Sequence, residues 1–522
     1  MEKRGTWASR STFILAAIGS AVGLGNAWRF PGLAAKHGGG AFMLAYVLAL
    51  VVIGVPLLMM EIAIGRRLRQ GAPGSMRGLN KKLEPIGWAA TANAFVINIY
   101  YAVVFAWVIM MAIFSYKFAG ITGKVTANEE AAGLWAKLIQ TTGTTKGYSN
   151  MSSVVVVCLL IAWGFIYACI RNGAHSVGKV VKYTVFLPVI CLVIMALKGF
   201  TMKGAGKGLA TLMIPKWSAL LNAELWIDAV GQMFYSLSIM MAIMFAYGSF
   251  LKNDAIIAVD GLIIAFSDFF ISFLSSVVLF TTMYGVGMTV DDMSASGVAT
   301  AFIIYPTAIV NLSSNGIINA VFAFVFYFCL CTLAIDSAFS ITEGVSTAIS
   351  DKFHLRKKQT TITVCLIAGL LSLWFTTGAG LAWLDVVDNW CNAYNLIIVG
   401  LLEAIAVGWC FKTTKVLDEI NLNSKKFKMA KWWFVGSIKF IAPVVLCVFF
   451  VWNLITLFVG GGIYGAKDNY SLASNIIGGW LISALVFASG FIIKAIVRAK
   501  SKNGFVEDEI SWDGEHAEPV ED

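Results

Sequence analysis

Apolar runs of roughly 20 residues recur from one end of this 522-residue chain to the other. Runs of that length match the hydrocarbon thickness of a bilayer. Inside lipid each segment must satisfy its own backbone polar groups, so such runs become helices. About twelve fall at 11–36, 41–68, 87–118, 152–170, 177–198, 222–250, 256–286, 317–350, 360–377, 382–411, 434–460 and 475–498. Only 13% of residues are charged, against about 25% in soluble domains. An all-α integral membrane protein follows. Its net charge of +10 then says less than where the basic residues sit, and it is no signal for nucleic acid.

Their placement gives an orientation. Lys3, Arg4 and Arg10 precede the first span, and Arg66, Arg67, Arg69, Arg77, Lys81 and Lys82 follow the second. Further clusters follow the fourth, eighth and tenth spans. All of these lie on one side, so both termini are expected in the cytoplasm of a plasma-membrane protein. Lys198, Lys203, Lys207 and Lys216 break the pattern on the other side. The connection 287–316, with Asp291, Asp292 and Pro306, reads as a re-entrant or surface hairpin. The end of the chain is acidic and reads as a solvated tail. Nine cysteines occur without a CxxC pair, which argues against a metal site.

The first span contains its own contradiction. G-S-A-V-G-L-G-N-A-W-R-F-P, Gly19 to Pro31, carries three glycines and a proline, with Asn26 and Arg29 at membrane depth. Irregular backbone there survives only where protein or a watery cavity takes up the unpaired groups, which points to a site. A second broken span answers it at A-V-G-Q-M-F-Y-S-L-S-I-M-M-A, 229–242, with Gln232, Ser236 and Ser238 at mid-depth. Ile239, Met240 and Met241 stand where a glycine is expected. The two breaks open two five-span halves. Five is odd, so the halves would be inverted relative to each other. The divisions expected are an N-terminal segment 1–10, a first repeat 11–199, a loop 200–221, a second repeat 222–411, two further helices 412–499 and a tail 500–522.

Half-helix ends at mid-depth offer N–H groups to a carboxylate and carbonyls to a cation. Glu61, Asp268, Asp336, Glu343, Asp388 and Glu403 also fall within spans, and buried carboxylates need a partner, a proton or a cation. Arg29, Lys36 and His37 are too few to neutralise them. Oxygen ligands without a His or Cys cluster favour a hard ion such as Na⁺. An enzyme is not supported: the Gly23–Gly25 stretch lacks the third glycine of a dinucleotide fingerprint, and neither a phosphate-binding GKS/GKT loop nor HExxH occurs.

The stretch 19–31, followed by G-G-G-A-F at 38–42, resembles the signature of the neurotransmitter:sodium symporters, including the bacterial amino-acid transporters of the leucine transporter type. The likeness continues through P-L-L-M-M-E-I-A-I-G-R (56–66), Tyr100–Tyr101, 229–238 and Asp336–Ser337. The resemblance implies two sodium sites. One takes Ala21, Asn26, Ser236 and Asp268 together with the substrate carboxylate. The other takes the carbonyls of Gly19, Val22 and Leu333 with the side chains of Asp336 and Ser337. The implied substrate site comprises Ala21, Gly23, Leu24, Gly25, Ile97, Tyr101, Val104, Tyr235, Ser236, Ser238, Met240, Met241, Ser337 and Ile341. Amine-carrying members have an acid at the Gly23 position, so glycine implies an amino acid. The apolar lining implies a neutral, hydrophobic or aromatic one.

Tyr46, Gln232, Ser236 and Ser272 match the family's chloride positions, but Asp268 stands where chloride-dependent members usually have Asn. A carboxylate about 4 Å from an anion repels it by roughly 4 kcal/mol at an effective dielectric near 20, so transport independent of chloride is expected. The outer gate maps to Arg29 and Asp388 with Tyr101 and Tyr235 as a lid. The inner gate maps to Arg4, Asp351 and Trp7, with Phe250 at the family's tyrosine position. The expectation is a sodium-coupled importer of a neutral amino acid working by alternating access in the bilayer, with no nucleic acid and no obligate protein partner. The alternatives are a carrier of an amine or a taurine-like osmolyte, or an ion channel.

Overall fold

The computed structural model of the protein describes residues 5–121, 126–148, 150–292, 297–468, 470–502 and 504–514. Among them regular structure is helical, apart from an isolated bridge between Met151 and Thr377. Among the described residues ten continuous helices are long and apolar enough to cross a membrane: α2 Gly40–Leu68, α3 Glu84–Ala119, α4 Ser153–Ile170, α5 Ala174–Phe200, α7 Ile257–Gly285, α8 Gly316–Phe353, α9 Lys357–Thr376, α10 Gly380–Cys410, α11 Lys431–Val459 and α12 Leu472–Ser501. Two more are broken. The halves of α1, Arg10–Ala21 and Gly25–Lys36, bend by 54° at the break. The halves of α6 are Ala223–Ser236 and Ile243–Ser249. Polar residues start several of these helices: Ser9, Ser152, Asn222 and Asn315 each accept a hydrogen bond from an N–H of the first turn of α1, α4, α6 and α8.

Because α1–α5 is an odd set, α6 enters from the end at which α1 does not. The sets α1–α5 and α6–α10 are therefore inverted repeats, each led by its broken helix. Burial shows how they nest. The apolar stretch of α3 is 83% buried and packs along α8, whereas those of α11 and α12 are 22% buried and face outward. The broken helices occupy the middle.

The described part of the connection 287–316 lies at the end opposite the termini and is largely buried there, with Phe302 and Ile309 fully enclosed. Its short helix Thr300–Val310 packs on Thr126–Ile139, with Phe302 stacked 4.9 Å from Trp135. Phe302 also reaches Trp28 of α1, at 5.9 Å.

The tail corrects the sequence reading. Residues 505–514 are docked on the terminus-bearing end of the bundle. Trp512 is 6% exposed, its N–H donates to the Gly78 carbonyl, and Arg67 donates to its carbonyl. Glu507 bridges Arg77 and Lys352, Asp508 meets His354, and Asp513 meets Lys415. The acidic composition fits this basic face rather than water. Residues 515–522 lie outside the described residues.

Candidate functional site

The two helix breaks meet at the centre. Ser238 Oγ donates to the Ser20 carbonyl at 2.8 Å, tying the α6 break to the last turn before the α1 break. The Met240 N–H donates to Glu61 Oε1 of α2 at 2.6 Å. The missing glycine does not prevent the break. Ser238, Met240 and Ala242 take φ of 53°, 64° and 62°, the left-handed region where a Cβ is strained. Three such residues in five persist because these hydrogen bonds and the surrounding packing over-determine the path.

Beside this junction the first expected cation set converges. Asp268 of α7 is fully buried and accepts from Tyr46 Oη at 2.9 Å, from Ser236 Oγ at 2.7 Å and from Asn26 Nδ2 at 2.6 Å. Asn26 Nδ2 also lies 2.8 Å from Ser272 Oγ, while its Oδ1 accepts from the Gly23 N–H at 2.9 Å. The carboxylate thus takes two of the four residues matched to an anion site, the Tyr46 and Ser236 hydroxyls. Gln232 stands apart, its Nε2 donating to the Gly25 carbonyl at 3.3 Å.

The second set lies across the first half of α1. Asp336 of α8 is 2% exposed, and its Oδ1 has no hydrogen-bond partner. A buried carboxylate oxygen without a donor suits a cation. The packing is close: a Cβ at Gly19 would sit 2.7 Å from Asp336 Oδ2. Ser337 Oγ lies 3.4 Å from the Ser20 carbonyl, and Leu333 is buried one turn before. Thr184 of α5 also reaches Asp336. The sequence reading missed it because a lone threonine in an apolar run carries no signal.

Between these sets is a cavity lined by Ser20, Ala21, Gly23–Asn26, Ile97, Tyr101, Tyr235, Ser236, Ser238, Met241, Ser337 and Ile341. Ser20 was also missed, although it lies inside the flagged stretch. Two expected residues are elsewhere. Val104 is buried in α3 outside the lining, and Met240 turns away to pack on Gly400 of α10. The alternation of left-handed residues sends Met240 and Met241 to opposite sides. The polar end of the cavity is set by an absence of side chain. A Cβ at Gly23 would sit 2.6 Å from Ser337 Oγ and 3.3 Å from Tyr101 Oη. The Tyr101 hydroxyl, near Ser337 and Leu24, is buried and unpartnered.

On the side opposite the termini, the Arg29 guanidinium lies over the Tyr235 ring, 5.6 Å from its centroid. Asp388 accepts from Asn392 at 2.8 Å, and no Arg29–Asp388 ion pair within 4.0 Å occurs among the described residues. On the other side Trp7 is 2% exposed. Its Nε1 donates to the Tyr247 carbonyl at 2.9 Å, its N–H donates to the Phe250 carbonyl, and both rings pack edge-on against it. Asp351 accepts from the Gly71 N–H at 2.7 Å; Arg4 lies outside the described residues.

The other buried acids stand apart from the site. Glu343 pairs with Lys357 at 3.1 Å, and Glu61 and Glu403 face each other behind the α6 break. Lys36 and His37 pair with Glu224 and Asp228, joining the outer ends of α1 and α6.

The comparisons with known proteins agree with this architecture. The profile of the sodium:neurotransmitter symporter family matches residues 4–120 and 128–499. An uncharacterized sodium-dependent transporter of Methanocaldococcus jannaschii is 31% identical over 95% of this chain and 99% of its own length. The sodium-dependent neutral amino acid transporter B(0)AT3 of Rattus norvegicus is 28% identical over 87% of this chain and 85% of its own, and the human sodium- and chloride-dependent GABA transporter 2 is 27% identical over 87% and 80%. The crystal structure of MhsT in complex with L-phenylalanine superposes with a TM-score of 0.73 at 26% identity, covering 86% of this chain and 99% of that one. The chain therefore belongs to the sodium:neurotransmitter symporter family, as a sodium-dependent, multi-pass membrane symporter rather than an enzyme.

Proposed function

We propose that the protein imports a neutral, hydrophobic or aromatic amino acid with two sodium ions, by alternating access and without chloride, in a plasma membrane with both termini cytoplasmic. The observation that carries the substrate class is the unpartnered Tyr101 hydroxyl facing a position, Gly23, that has no room for a side chain. An acid at position 23 would hold an ammonium group; its absence beside an unsatisfied donor favours a carboxylate. Ile97, Met241 and Ile341 offer an apolar wall with no charge to pair a polar side chain. The relatives support an amino acid without selecting one: a neutral amino acid transporter by name and a structure with phenylalanine.

The sodium sites follow the two carboxylates. Asp336, with Ser337 and the carbonyls of Gly19, Val22 and Leu333, would hold one ion, and its unpartnered oxygen is what such a site leaves. Asp268, Ser236, Asn26 and the Ala21 carbonyl would hold the other beside the substrate carboxylate. That ion needs the Asn26 oxygen, which here accepts from Gly23. The reading without chloride is supported by the Asp268 carboxylate, which already takes the Tyr46 and Ser236 hydroxyls. Arg29 and Asp388 would close the outer path and Arg4, Trp7 and Asp351 the inner one.

Thermal stabilisation of the purified protein by a panel of amino acids, with Na⁺ or with K⁺ in its place, tests the reading. Neutral apolar amino acids should stabilise only with Na⁺, and Tyr101→Phe should weaken that effect. Stabilisation by amines or taurine instead would overturn the substrate class.

A further inference from the structure

The last turn of α5 and its link to α6 carry Lys198, Lys203, Lys207 and Lys216 at the end opposite the termini, against the usual distribution of basic residues. Among the described residues none of the four has a carboxylate within 4.0 Å; the neighbouring acids Glu224 and Asp228 are taken by Lys36 and His37. The same surface exposes large apolar side chains: Ile214 at 66%, Trp217 at 65% and Leu221 at 90%. It continues directly from Leu197 and Phe200, the outward-facing residues of the last turn of α5.

This face is held in place. In the helix Ala205–Met213, residues Ala205, Gly208 and Leu212 are buried against the end of α7, which leaves Lys207 outward. The loop also rests on the turn between α1 and α2. Gly39 has φ of 62°, and a Cβ there would strike the Thr211 carbonyl; one at Gly40 would sit 2.7 Å from the Met213 carbonyl oxygen. The Lys216 stem covers Gly38. The triple glycine of the signature thus seats this loop against the outer end of α1.

Exposed Trp, Ile and Leu are unfavourable against water, whereas the lysine ammonium groups among them are well solvated there and free to meet an anion. At headgroup depth the apolar groups enter the acyl boundary while the ammonium groups reach phosphate. We propose that this Lys/Trp face binds anionic phospholipid of the leaflet it abuts. The bound headgroups fix the α5–α6 loop and, through its seat on Gly38–Gly40, the outer end of the gating helix α1. Charge complementarity selects the lipid: four lysines without a carboxylate partner, beside acids already neutralised by Lys36 and His37, favour phosphatidylglycerol over phosphatidylcholine, by about fivefold for each lysine engaged.

The test uses the full chain in nanodiscs of phosphatidylcholine with phosphatidylglycerol, reading lipid retained after detergent extraction by native mass spectrometry. Wild type should retain phosphatidylglycerol in excess over phosphatidylcholine. Simultaneous Lys→Gln substitution at 198, 203, 207 and 216 should lower that excess at least fivefold or so. The matching Lys→Arg variant should keep it. A far-UV circular dichroism spectrum and a single elution peak matching those of wild type certify folding of the Gln variant. Equal retention of both lipids by wild type, or an undiminished excess in a folded Gln variant, would overturn the proposal.

Discussion

Gly23 and Asp268 decide the chemistry through what each leaves or fills. Gly23→Asp would push a carboxylate into the place where Ser337 Oγ already lies 2.6 Å from a Cβ. Amino-acid binding should be abolished; unchanged affinity by calorimetry would sink the carboxylate assignment. Asp268→Asn removes a charge from a cage of Tyr46, Ser236 and Asn26 donors. Those donors then favour a mobile anion, so uptake by the variant should become stimulated by chloride. An equal rate in gluconate would contradict that. Both positions were legible in the sequence because each departs from a pattern dense enough to align on. Ser20 and Thr184 were not: one acts through its carbonyl, which every residue has, and the other is a hydroxyl in an apolar run.

The halves of α6 show where element-level reading stops. Glycine is the usual mark of a left-handed turn, yet Ser238, Met240 and Ala242 adopt one without it, held by Glu61 and Ser20 from other helices. Such long-range hydrogen bonds leave no local trace. Ala242→Gly should therefore stabilise the protein by about 1 kcal/mol, whereas Ala229→Gly, in the regular first half of α6, should destabilise it by a similar amount. Melting temperatures that move together would contradict the assignment.

The docked tail is the second such case. Its acidic composition resembles a solvated segment until the basic face opposite is known. Burial opposes ionisation of Glu507, but the Lys352 hydrogen bond and the charges of Lys352 and Arg77 outweigh it and hold the carboxyl below its usual range. Docking therefore favours the ionised form. Its contribution is full above the ordinary carboxylate pKa and is lost as pH falls through the lowered value. Hydrogen exchange of residues 505–514, corrected for intrinsic rates, should rise on that acidification. In Glu507→Gln it should already be raised at neutral pH. A pH-independent tail in both proteins would remove Glu507 from this role.

Across the whole molecule, the twelve spans and their inverted halves were readable from hydrophobic length and the parity of the loops. The span boundaries shift by only a few residues because charged residues and helix breakers at the ends of the apolar runs mark them. The depth of burial was not readable: α3 and α11 are equally apolar in sequence, yet one is enclosed and the other faces lipid. At this scale the account predicts electrogenic transport. Each positive charge entering gains about 2.3 kcal/mol per 100 mV, so two sodium ions with a zwitterion gain roughly 4.6 kcal/mol. That supports about a thousand-fold gradient from 100 mV alone.

Proteoliposome uptake tests this most directly: a labelled neutral apolar amino acid, an inward sodium gradient and gluconate in place of chloride on both sides. The account predicts saturable, concentrative uptake that needs sodium, proceeds at the same rate without chloride and accelerates when the interior is made negative. Uptake that collapses in gluconate, or a sodium current that flows without saturable dependence on the amino acid, would contradict it.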